Sequence, residues 1–240
     1  MFQYKLIFKL ENNCLPKETD RFIVSFLKAA AQNYSPDFFN KLYDKSKSII
    51  KSFTYSCYLP GARFHDKTIE LSQEEFSLFF SDADQAELLH FFNAFQGMKR
   101  KKHPLNGNSM ELTSIRIQKL DEIKENEIIV KMQSPLIVRK HNSDDNSDIY
   151  YTCEMDGFAE ALKENVEIFL KKMDMDAEES GFSIQTVKGK KVVVPVFGRN
   201  TDASLGIYKL TGSCQLLNIL FLAGLGARRS EGHGKFEIIG

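Results

Sequence analysis

The stretch "AGLGARRSEGHGKFEI", residues 223–238, sets four glycines around two adjacent arginines, Arg228 and Arg229. It begins within the longest apolar run of the chain, "LLNILFLAGLGA" at residues 216–227, and it ends within "KFEIIG" at residues 235–240. The apolar run predicts a buried helix and the final residues predict a strand. The quoted stretch is therefore a glycine-rich, cationic connection from the last helix to the last strand.

The direction of this connection restricts what it binds. A dinucleotide-binding or phosphate-binding loop runs from a strand into a helix, so that the amino end of the helix faces the phosphate. Here the order is reversed, which argues against a nucleotide cofactor. We predict that the protein has no cofactor.

The residues before this connection complete one structural repeat. "EIIVKMQ" and "PLIVR" are extended, and "DGFAEALKENVEIFLKKM" has the apolar spacing of an amphipathic helix. "FSIQTV" and "KKVVVPVFG" predict two strands joined by a turn at "KGK", where Gly189 can take a positive φ. "LGIYKLTG" then extends the sheet, so the order of elements in the second half is βαββαβ.

The first half predicts the same order. "MFQYKLIFKLE" alternates as a half-buried strand, and residues 16–32 predict a helix with Pro16 in its first turn. "SPDFFNKLY" predicts a short second helix capped by Ser35. The strands "SFTYSCYL", "KTIEL" and "EFSLFFS" follow, then a helix at 84–95 and the strand "SMELTSIRIQKL". In that helix we expect four side chains to point inward: Leu88, Leu89, Phe92 and Phe95.

A repeated βαββαβ order is the pattern of two ferredoxin-like folds in tandem. We therefore predict an α+β protein with two RRM-like domains, at residues 1–120 and 121–240. The chain has 240 residues with 42% hydrophobic side chains and 20 phenylalanines, enough to fill the cores of two such domains.

Charge and cysteine content indicate the setting of the protein. Lys plus Arg equals Asp plus Glu at 32 each, so any basic surface must be local. The four cysteines lack CxxC spacing, which argues against zinc or disulfides and for a reducing cytoplasm. The N-terminal stretch lacks the uninterrupted apolar region of a signal peptide, and the run from Leu216 falls short of the ~20 residues that span a bilayer. We expect a cytoplasmic protein that does not enter membranes.

The quoted stretch is the first candidate for RNA binding. Glycine lets backbone N–H groups approach a polyanion closely, arginine holds phosphate through two hydrogen bonds, and Ser230 supplies another donor. The alternative is a glycine-rich turn that only closes the domain, with solvated arginines. The predicted RNA-binding residues here are Gly224, Gly226, Arg228, Arg229, Ser230, Gly232, His233 and Gly234.

The second candidate is the densest positive run of the chain, in "GMKRKKHPLNGN". Its members are Lys99, Arg100, Lys101 and Lys102. Clustered cations of this kind hold RNA phosphates without reading the bases. The alternative is a solvated turn.

The pattern G-x-G, five residues, G-x-G, with basic residues between and at the C-terminus of a tandem ferredoxin-like chain, resembles the CRISPR-associated repeat-cleaving endoribonucleases of the RAMP superfamily, the sixth Cas family. "KSFTYSCYLPGARF" and "QSPLIVR" are similar to further stretches of that family. One departure is "GHG", where the family usually has an aromatic residue between the last two glycines. His233 then replaces a packing or stacking residue.

The resemblance implies a nuclease without metal that cuts the repeat of a precursor CRISPR RNA once. The 2′-hydroxyl attacks the adjacent phosphorus, leaving a 2′,3′-cyclic phosphate and a 5′-hydroxyl. The protein then needs a base, an acid and a cation for the developing charge. The implied partner is repeat RNA within precursor crRNA, and the resemblance leaves open other CRISPR effector subunits and a homodimer.

The family's usual base, a histidine in the first domain, has no counterpart here, because residues 1–64 contain no histidine. The candidate catalytic residues in this region are Lys28, Tyr34, Tyr43 and Lys51. Tyrosine has a pKa near ~10, so Tyr43 acts as a base only if a nearby cation lowers that pKa. We predict catalysis by substrate positioning and charge stabilisation.

These candidates have structural alternatives, namely packing for the tyrosines and solvation for the lysines. We expect His65 at the surface and His90 in a structural role. The missing histidine keeps two other functions open: a repeat-binding protein without cleavage, and a subunit that holds guide RNA in a larger ribonucleoprotein.

Overall fold

The structure is a computed structural model that describes residues 1–44, 46–47, 49–143, 146–175, 177 and 181–240. The chain divides into two compact units. The first comprises residues 1–49 and 56–120, and the second comprises residues 50–55 and 121–240. Both contain helices and antiparallel sheet.

The elements of the first half begin with β1 (Phe2–Leu10), β2 (Cys14–Pro16), α1 (Thr19–Tyr34), α2 (Pro36–Tyr43), β3 (Phe53–Tyr58), β4 (Arg63–Phe64) and β5 (Thr68–Glu70). They continue with β6 (Glu75–Asp82), α3 (Gln85–Met98), β7 (Lys102–Leu105) and β8 (Asn108–Lys119). The main sheet has the order β3-β6-β1-β8-β7. A small second sheet has the order β2-β5-β4.

The elements of the second half are β9 (Glu127–Met132), β10 (Val138–Asn142), β11 (Ser147–Tyr151), α4 (Phe158–Met173), β12 (Ser183–Val196), β13 (Arg199–Thr211), α5 (Cys214–Ala223) and β14 (Phe236–Ile238). Their main sheet has the order β12-β13-β9-β14, and β10 pairs with β11 as a separate hairpin. In both halves the second and third strands of the βαββαβ repeat lie on one side of the first strand and the fourth lies on the other. This order confirms the predicted α+β, tandem ferredoxin-like fold.

The core of the first unit is built from aromatic side chains on β1, β6 and the helices. The ring of Phe8 lies 5.0 Å from that of Phe26 and 5.0 Å from that of Phe76, between centroids. Phe80 lies 4.6 Å from Phe91 in the same way. These contacts explain how a Phe-rich sequence fixes α1 and α3 against the sheet, since aromatic pairs add to the energy of burial.

Local sequence signals explain the starts of two helices. Ser35 caps α2, because its Oγ accepts a hydrogen bond from the N–H of Phe38 at 3.3 Å and Pro36 follows at the first position. Asp84 caps α3 through its carboxylate, which accepts from the N–H groups of Ala86 and Glu87. The predicted beginnings of both helices are therefore confirmed.

Three local predictions were wrong. Pro16 does not begin α1 but ends β2, where it pairs with Thr68 of β5. Leu89 does not point inward, since it is 61% exposed, and Phe91 is the buried residue of that turn. Gly189 forms no turn, because β12 runs through it without interruption to Val196.

The structure gives a different reason for glycine at position 189. It pairs with Gly206 across β12 and β13, and a Cβ atom on it would lie 2.6 Å from Sγ of Cys153. A Cβ atom on Gly206 would overlap the carbonyl oxygen of Lys188. Both glycines thus let neighbouring atoms approach the backbone of the sheet closely.

None of the helices that the structure describes is long and apolar enough to cross a membrane.

Candidate functional site

The glycine segment, residues 223–234, connects α5 to β14 as the sequence predicted, and it lies in the second unit. Its path includes a single 3-10 turn at Arg229–Glu231. All four of its glycines have positive φ, between 73° and 87°, and Arg228 has φ 58°. The segment therefore needs glycine for its backbone conformation, because other residues pay a steric cost there.

The backbone of the glycine segment is fixed by hydrogen bonds within the second unit. The N–H of Gly234 donates to the carbonyl of Pro135 at 2.9 Å, and that of Ala227 donates to Ile137 at 2.8 Å. The hydroxyl of Thr54 donates to the carbonyl of His233 at 3.0 Å. These bonds make the segment an ordered part of the fold.

Close packing also requires the glycines. A Cβ atom on Gly226 would overlap the carbonyl oxygen of Ile137, and one on Gly234 would overlap that of Leu225. One on Gly232 would overlap the ring of Tyr55. Gly224, Gly226 and Gly234 are buried, so their contact with RNA stays a prediction, and the structure assigns them a packing role first.

The two arginines of the segment differ in environment. Arg228 is 36% exposed at its side chain and pairs with Glu231, with Nη1 3.1 Å from Oε1. Arg229 is only 7% exposed, and its guanidinium carbon lies 3.6 Å from the ring centroid of Phe169. Burial lowers the pKa of Arg229 to about 9. Of the two predicted phosphate contacts, Arg228 is therefore the accessible one and Arg229 is a buried, stacked cation.

Two further basic side chains at this site are buried. His233 is 6% exposed, and burial, with the charge of Arg228, lowers its pKa to about 4. Lys235 is 2% exposed, and burial lowers its pKa to about 7. His233 is neutral at pH 7, which suits packing in the position where the resembled family has an aromatic. Ser230 is half-buried.

The pKa of Lys235 predicts that stability depends on pH. The unfolded lysine has a pKa near ~10.4, so between pH 7 and pH 8.5 the unfolded state holds more protons than the folded state. Stability should then rise with pH over this window, by about 1–2 kcal/mol of unfolding free energy. Urea unfolding at several pH values measures this slope.

Lys235→Met is the matched variant for this measurement, since it keeps the length of the side chain and removes the titrating group. Its slope between pH 7 and pH 8.5 should be flatter than that of the wild type. Equal slopes in the two proteins would show that Lys235 titrates normally in the fold.

In the first unit the structure brings two of the catalytic candidates together. Lys28 is exposed on α1, and its Nζ lies 5.3 Å from the ring centroid of Tyr43 on α2. The pKa of Tyr43 is nevertheless raised, first by burial and then by the nearby charge of Glu87. A lysine over the ring face therefore does not lower that pKa, and Tyr43 remains a protonated phenol at neutral pH.

Tyr34 lies with a histidine that the sequence analysis placed in a structural role. Its hydroxyl is 3.0 Å from Nδ1 of His90 on α3, and both residues are exposed. The ring of Phe38 lies 5.4 Å from that of His90. His90 is thus an accessible partner of Tyr34, and its contacts with Tyr34 and Phe38 are compatible with the structural role expected for it. The two residues are 56 positions apart, which is why no local motif indicates the pair.

Tyr34 and Lys28 lie six positions apart on α1, which turns their side chains roughly 120° away from each other. Lys51, the fourth candidate, lies in residues 50–55, which belong to the second unit. The structure therefore groups Lys28 with Tyr43 and Tyr34 with His90.

The basic run 99–102 lies between α3 and β8 in the first unit. Arg100 has φ 62° and its N–H donates to the carbonyl of Leu112 at 3.0 Å. Lys101 donates through Nζ to Oδ1 of Asn33 at 3.2 Å, beside Tyr34 in the chain, and Lys102 lies 3.5 Å from a carboxylate oxygen of Glu11. All four side chains of the run are exposed. The run therefore forms an exposed cationic surface next to the C-terminal end of α1.

His65, which was expected at the surface, is exposed, and its Nε2 lies 3.4 Å from Oε2 of Glu70. In the part of the chain that the structure describes, His, Cys, Asp and Glu side chains form no group of three that could hold a metal ion.

Several solved structures have the same fold as this chain. A structure titled characterization of a Cas6-related gene from Pyrococcus furiosus matches with a TM-score of 0.85 at 19% identity, covering 99% of this chain and 98% of that one. A RAMP protein described as binding different RNA substrates matches with a TM-score of 0.85 at 18% identity, over 100% of both chains. A Cas6 product complex matches with a TM-score of 0.71 at 15% identity, also over 100% of both chains.

These likenesses show that the chain has the same tandem ferredoxin-like fold as those proteins. No curated protein sequence matches the chain. A family model described as CRISPR associated protein Cas6, C-terminal, matches residues 118–238. The chain belongs to the Cas6 family, which confirms the resemblance seen in its sequence.

Proposed function

We propose that this protein is an endoribonuclease that binds CRISPR repeat RNA and cuts precursor crRNA once per repeat. The observation that carries the proposal is the family match over residues 118–238, which includes the whole glycine segment. Two proteins with this fold support it: a RAMP protein described as binding different RNA substrates, and a Cas6 protein solved as a product complex.

The proposed reaction is an internal transfer within the RNA. The 2′-oxygen forms a bond to the adjacent phosphorus, the bond from phosphorus to the 5′-oxygen breaks, and the products end in a 2′,3′-cyclic phosphate and a 5′-hydroxyl. The proton of the 2′-hydroxyl leaves to a base and the 5′-oxygen gains a proton. The reaction needs no metal if protein cations stabilise the charge that develops on the phosphate.

Lys28 is the best candidate for that cation in the first unit, because its charge is exposed and supported by the ring of Tyr43. Tyr43 fits a hydrogen-bond donor better than a base, since its pKa is raised. Tyr34 with His90 is the pair best suited to move a proton, because the tyrosine hydroxyl lies 3.0 Å from Nδ1 of the histidine, and imidazole can both accept and donate a proton. Lys51 stays a further candidate for charge stabilisation.

Phosphate binding is assigned to the exposed cations. The run 99–102 offers four of them, and Arg228 is the accessible arginine of the glycine segment. Cations of this kind contribute salt-dependent affinity, so the repeat RNA should bind less tightly as salt is raised.

A second candidate function is repeat binding without cleavage. Two observations favour it, the absence of histidine from residues 1–64 and the raised pKa of Tyr43. A role as the guide-holding subunit of a ribonucleoprotein is a variant of the same idea, with partner subunits supplying the remaining contacts.

The nuclease proposal predicts cleavage of repeat RNA in the presence of EDTA. Labelled CRISPR repeat RNA should be cut at a single position, and the upstream product should carry a cyclic phosphate that acid opens. A second RNA with one 2′-deoxy nucleotide immediately before the cut should bind equally well and remain intact, because the attacking group is missing.

The outcomes separate the alternatives. Binding without a product supports the non-cleaving function. Binding that requires partner subunits supports the ribonucleoprotein role. Cleavage that needs added magnesium, or cleavage of the 2′-deoxy RNA, would contradict the proposed mechanism.

A further inference from the structure

The last turn of α2 carries Tyr43, one of the catalytic candidates, and an ion pair joins this turn to α3. Nζ of Lys41 on α2 lies 2.8 Å from Oε2 of Glu87 and 3.8 Å from Oδ2 of Asp84. Asp84 caps α3 and Glu87 belongs to its first turn. The side chain of Lys41 therefore links the end of one helix to the beginning of another.

The two partners of this ion pair differ in burial. The side chain of Lys41 is 57% exposed, whereas that of Glu87 is only 5% exposed. Oε1 of Glu87 is buried and has no hydrogen-bond partner among the residues that the structure describes. A buried carboxylate is costly unless a cation compensates it, and an apolar side chain would serve stability as well. The pair thus points to a role other than stability.

Few side chains set the position of the last turn, because α2 is short. The helix has eight residues, Pro36–Tyr43, of which Phe38 and Leu42 are buried. Phe38 anchors the first turn, since its ring centroid lies 5.1 Å from that of Phe91 on α3. At the other end, Lys41 supplies the ion pair with α3. Loss of Lys41 would therefore loosen the last turn and leave the first turn anchored.

The ion pair also lies within electrostatic reach of Tyr43. The pKa of Tyr43 is raised first by burial and then by the charge of Glu87, so the carboxylate is close to the phenol. In addition, Nζ of Lys28 on α1 lies 5.3 Å from the centroid of the Tyr43 ring. Tyr43 thus interacts with charged groups of two other helices, and a small shift of α2 would change both interactions.

We propose that Lys41 is a positioning residue of the cleavage reaction: its ion pair with Glu87 fixes the last turn of α2 against α3 and so holds Tyr43 beside Lys28. The inference rests on the proposed function and on the role of Tyr43 in it as a hydrogen-bond donor. Lys41 acts through Tyr43 and makes no contact with the RNA. A misplacement of about 1 Å reduces an enzymatic rate by about 10²-fold, which sets the scale of the expected effect.

The test is a double-mutant cycle between Lys41 and Tyr43 in single-turnover cleavage of repeat RNA. Lys41→Met should reduce the rate by about 10–10²-fold and leave the Kd for the 2′-deoxy RNA unchanged. In a Tyr43→Phe protein, whose rate is already reduced, Lys41→Met should cause no further loss, because no phenol remains to be positioned. A lysine that only stabilised the fold would lower the rate by the same factor in both backgrounds.

Three further variants serve as controls. Lys41→Met leaves the carboxylate of Glu87 uncompensated, which destabilises the fold. The variant Lys41→Met/Glu87→Gln removes both charges, so it should unfold at a higher temperature than Lys41→Met while its cleavage rate stays low. Lys41→Arg keeps the ion pair and should retain most of the rate. Arg21→Met removes a different ion pair of the first unit, with Glu18, and should cleave like the wild type.

A wild-type rate in Lys41→Met, or an equal loss with and without the Tyr43 hydroxyl, would overturn the inference and leave the proposed function intact. So would recovery of the rate in Lys41→Met/Glu87→Gln, or a rate in Lys41→Arg as low as that of Lys41→Met. A parallel loss of affinity would assign Lys41 to RNA binding instead. Failure of the wild type to cleave repeat RNA would remove the nuclease proposal and this inference together.

Discussion

Replacing Lys28 by alanine should lower the single-turnover rate of repeat cleavage by about 10²–10³-fold, the usual loss when one group that stabilises transition-state charge is removed. The affinity for the 2′-deoxy RNA should change little, because a charge that acts on the transition state contributes little to ground-state binding. Single-turnover cleavage in EDTA, with the Kd measured alongside, provides the test.

Two variants make the result specific to the charge of Lys28. Lys28→Arg keeps the positive charge on α1 and should retain most of the rate. Lys171→Ala removes an exposed lysine from the last turn of α4 and should cleave like the wild type. An unchanged rate in Lys28→Ala would exclude Lys28 as the stabilising cation, and an equal loss of rate and affinity would assign it to binding.

The second large effect is expected from Gly226→Ala. The new Cβ atom would overlap the carbonyl oxygen of Ile137 at a backbone φ of 73°. Overpacking and backbone strain together should cost about 3 kcal/mol of unfolding free energy. Urea unfolding followed by circular dichroism measures this loss.

Gly107→Ala is the matched control, since Gly107 also has positive φ, 76°, but a Cβ atom there would meet nothing within 4 Å. Only the backbone cost remains, about 1 kcal/mol. If the two variants lost equal stability, close packing of the glycine segment would not be the reason for its glycines.

Much of the fold followed from local sequence signals. The alternation in β1, the Ser35 cap of α2 and the buried face of α4 each depend on residues a few positions apart. The repeated order of elements then predicts a sheet order that the structure confirms in both halves. Local propensity and fold agree at these places, as expected for foldable sequences.

The failures depend on contacts between residues distant in the chain. Gly189 was taken for a turn because glycine marks turns, whereas here it makes room for Cys153 and lies opposite Gly206. The true turn at Phe197 carries no common turn signal at its first position. Helical spacing alone did not fix which residues of α3 face the core, so Leu89 was chosen although Phe91, two positions further on, is the residue that packs.

In the candidate site, too, some features were predictable from the sequence and others were not. The position of the glycine segment between α5 and β14 was predictable from the order of helices and strands along the chain. Burial of Arg229 and Lys235 was not, because these residue types are almost never fully buried and their sequence pattern is that of solvated cations. The pair of Tyr34 and His90 joins two helices and leaves no trace in a local motif.

The six residues 50–55 belong to the second unit although they precede most of the first in the chain. They supply Thr54 and Tyr55, against which the glycine segment is packed. A fragment that began at residue 121 would therefore lack Thr54 and Tyr55, which pack against its glycine segment. We expect such a fragment to be incomplete as a folding unit.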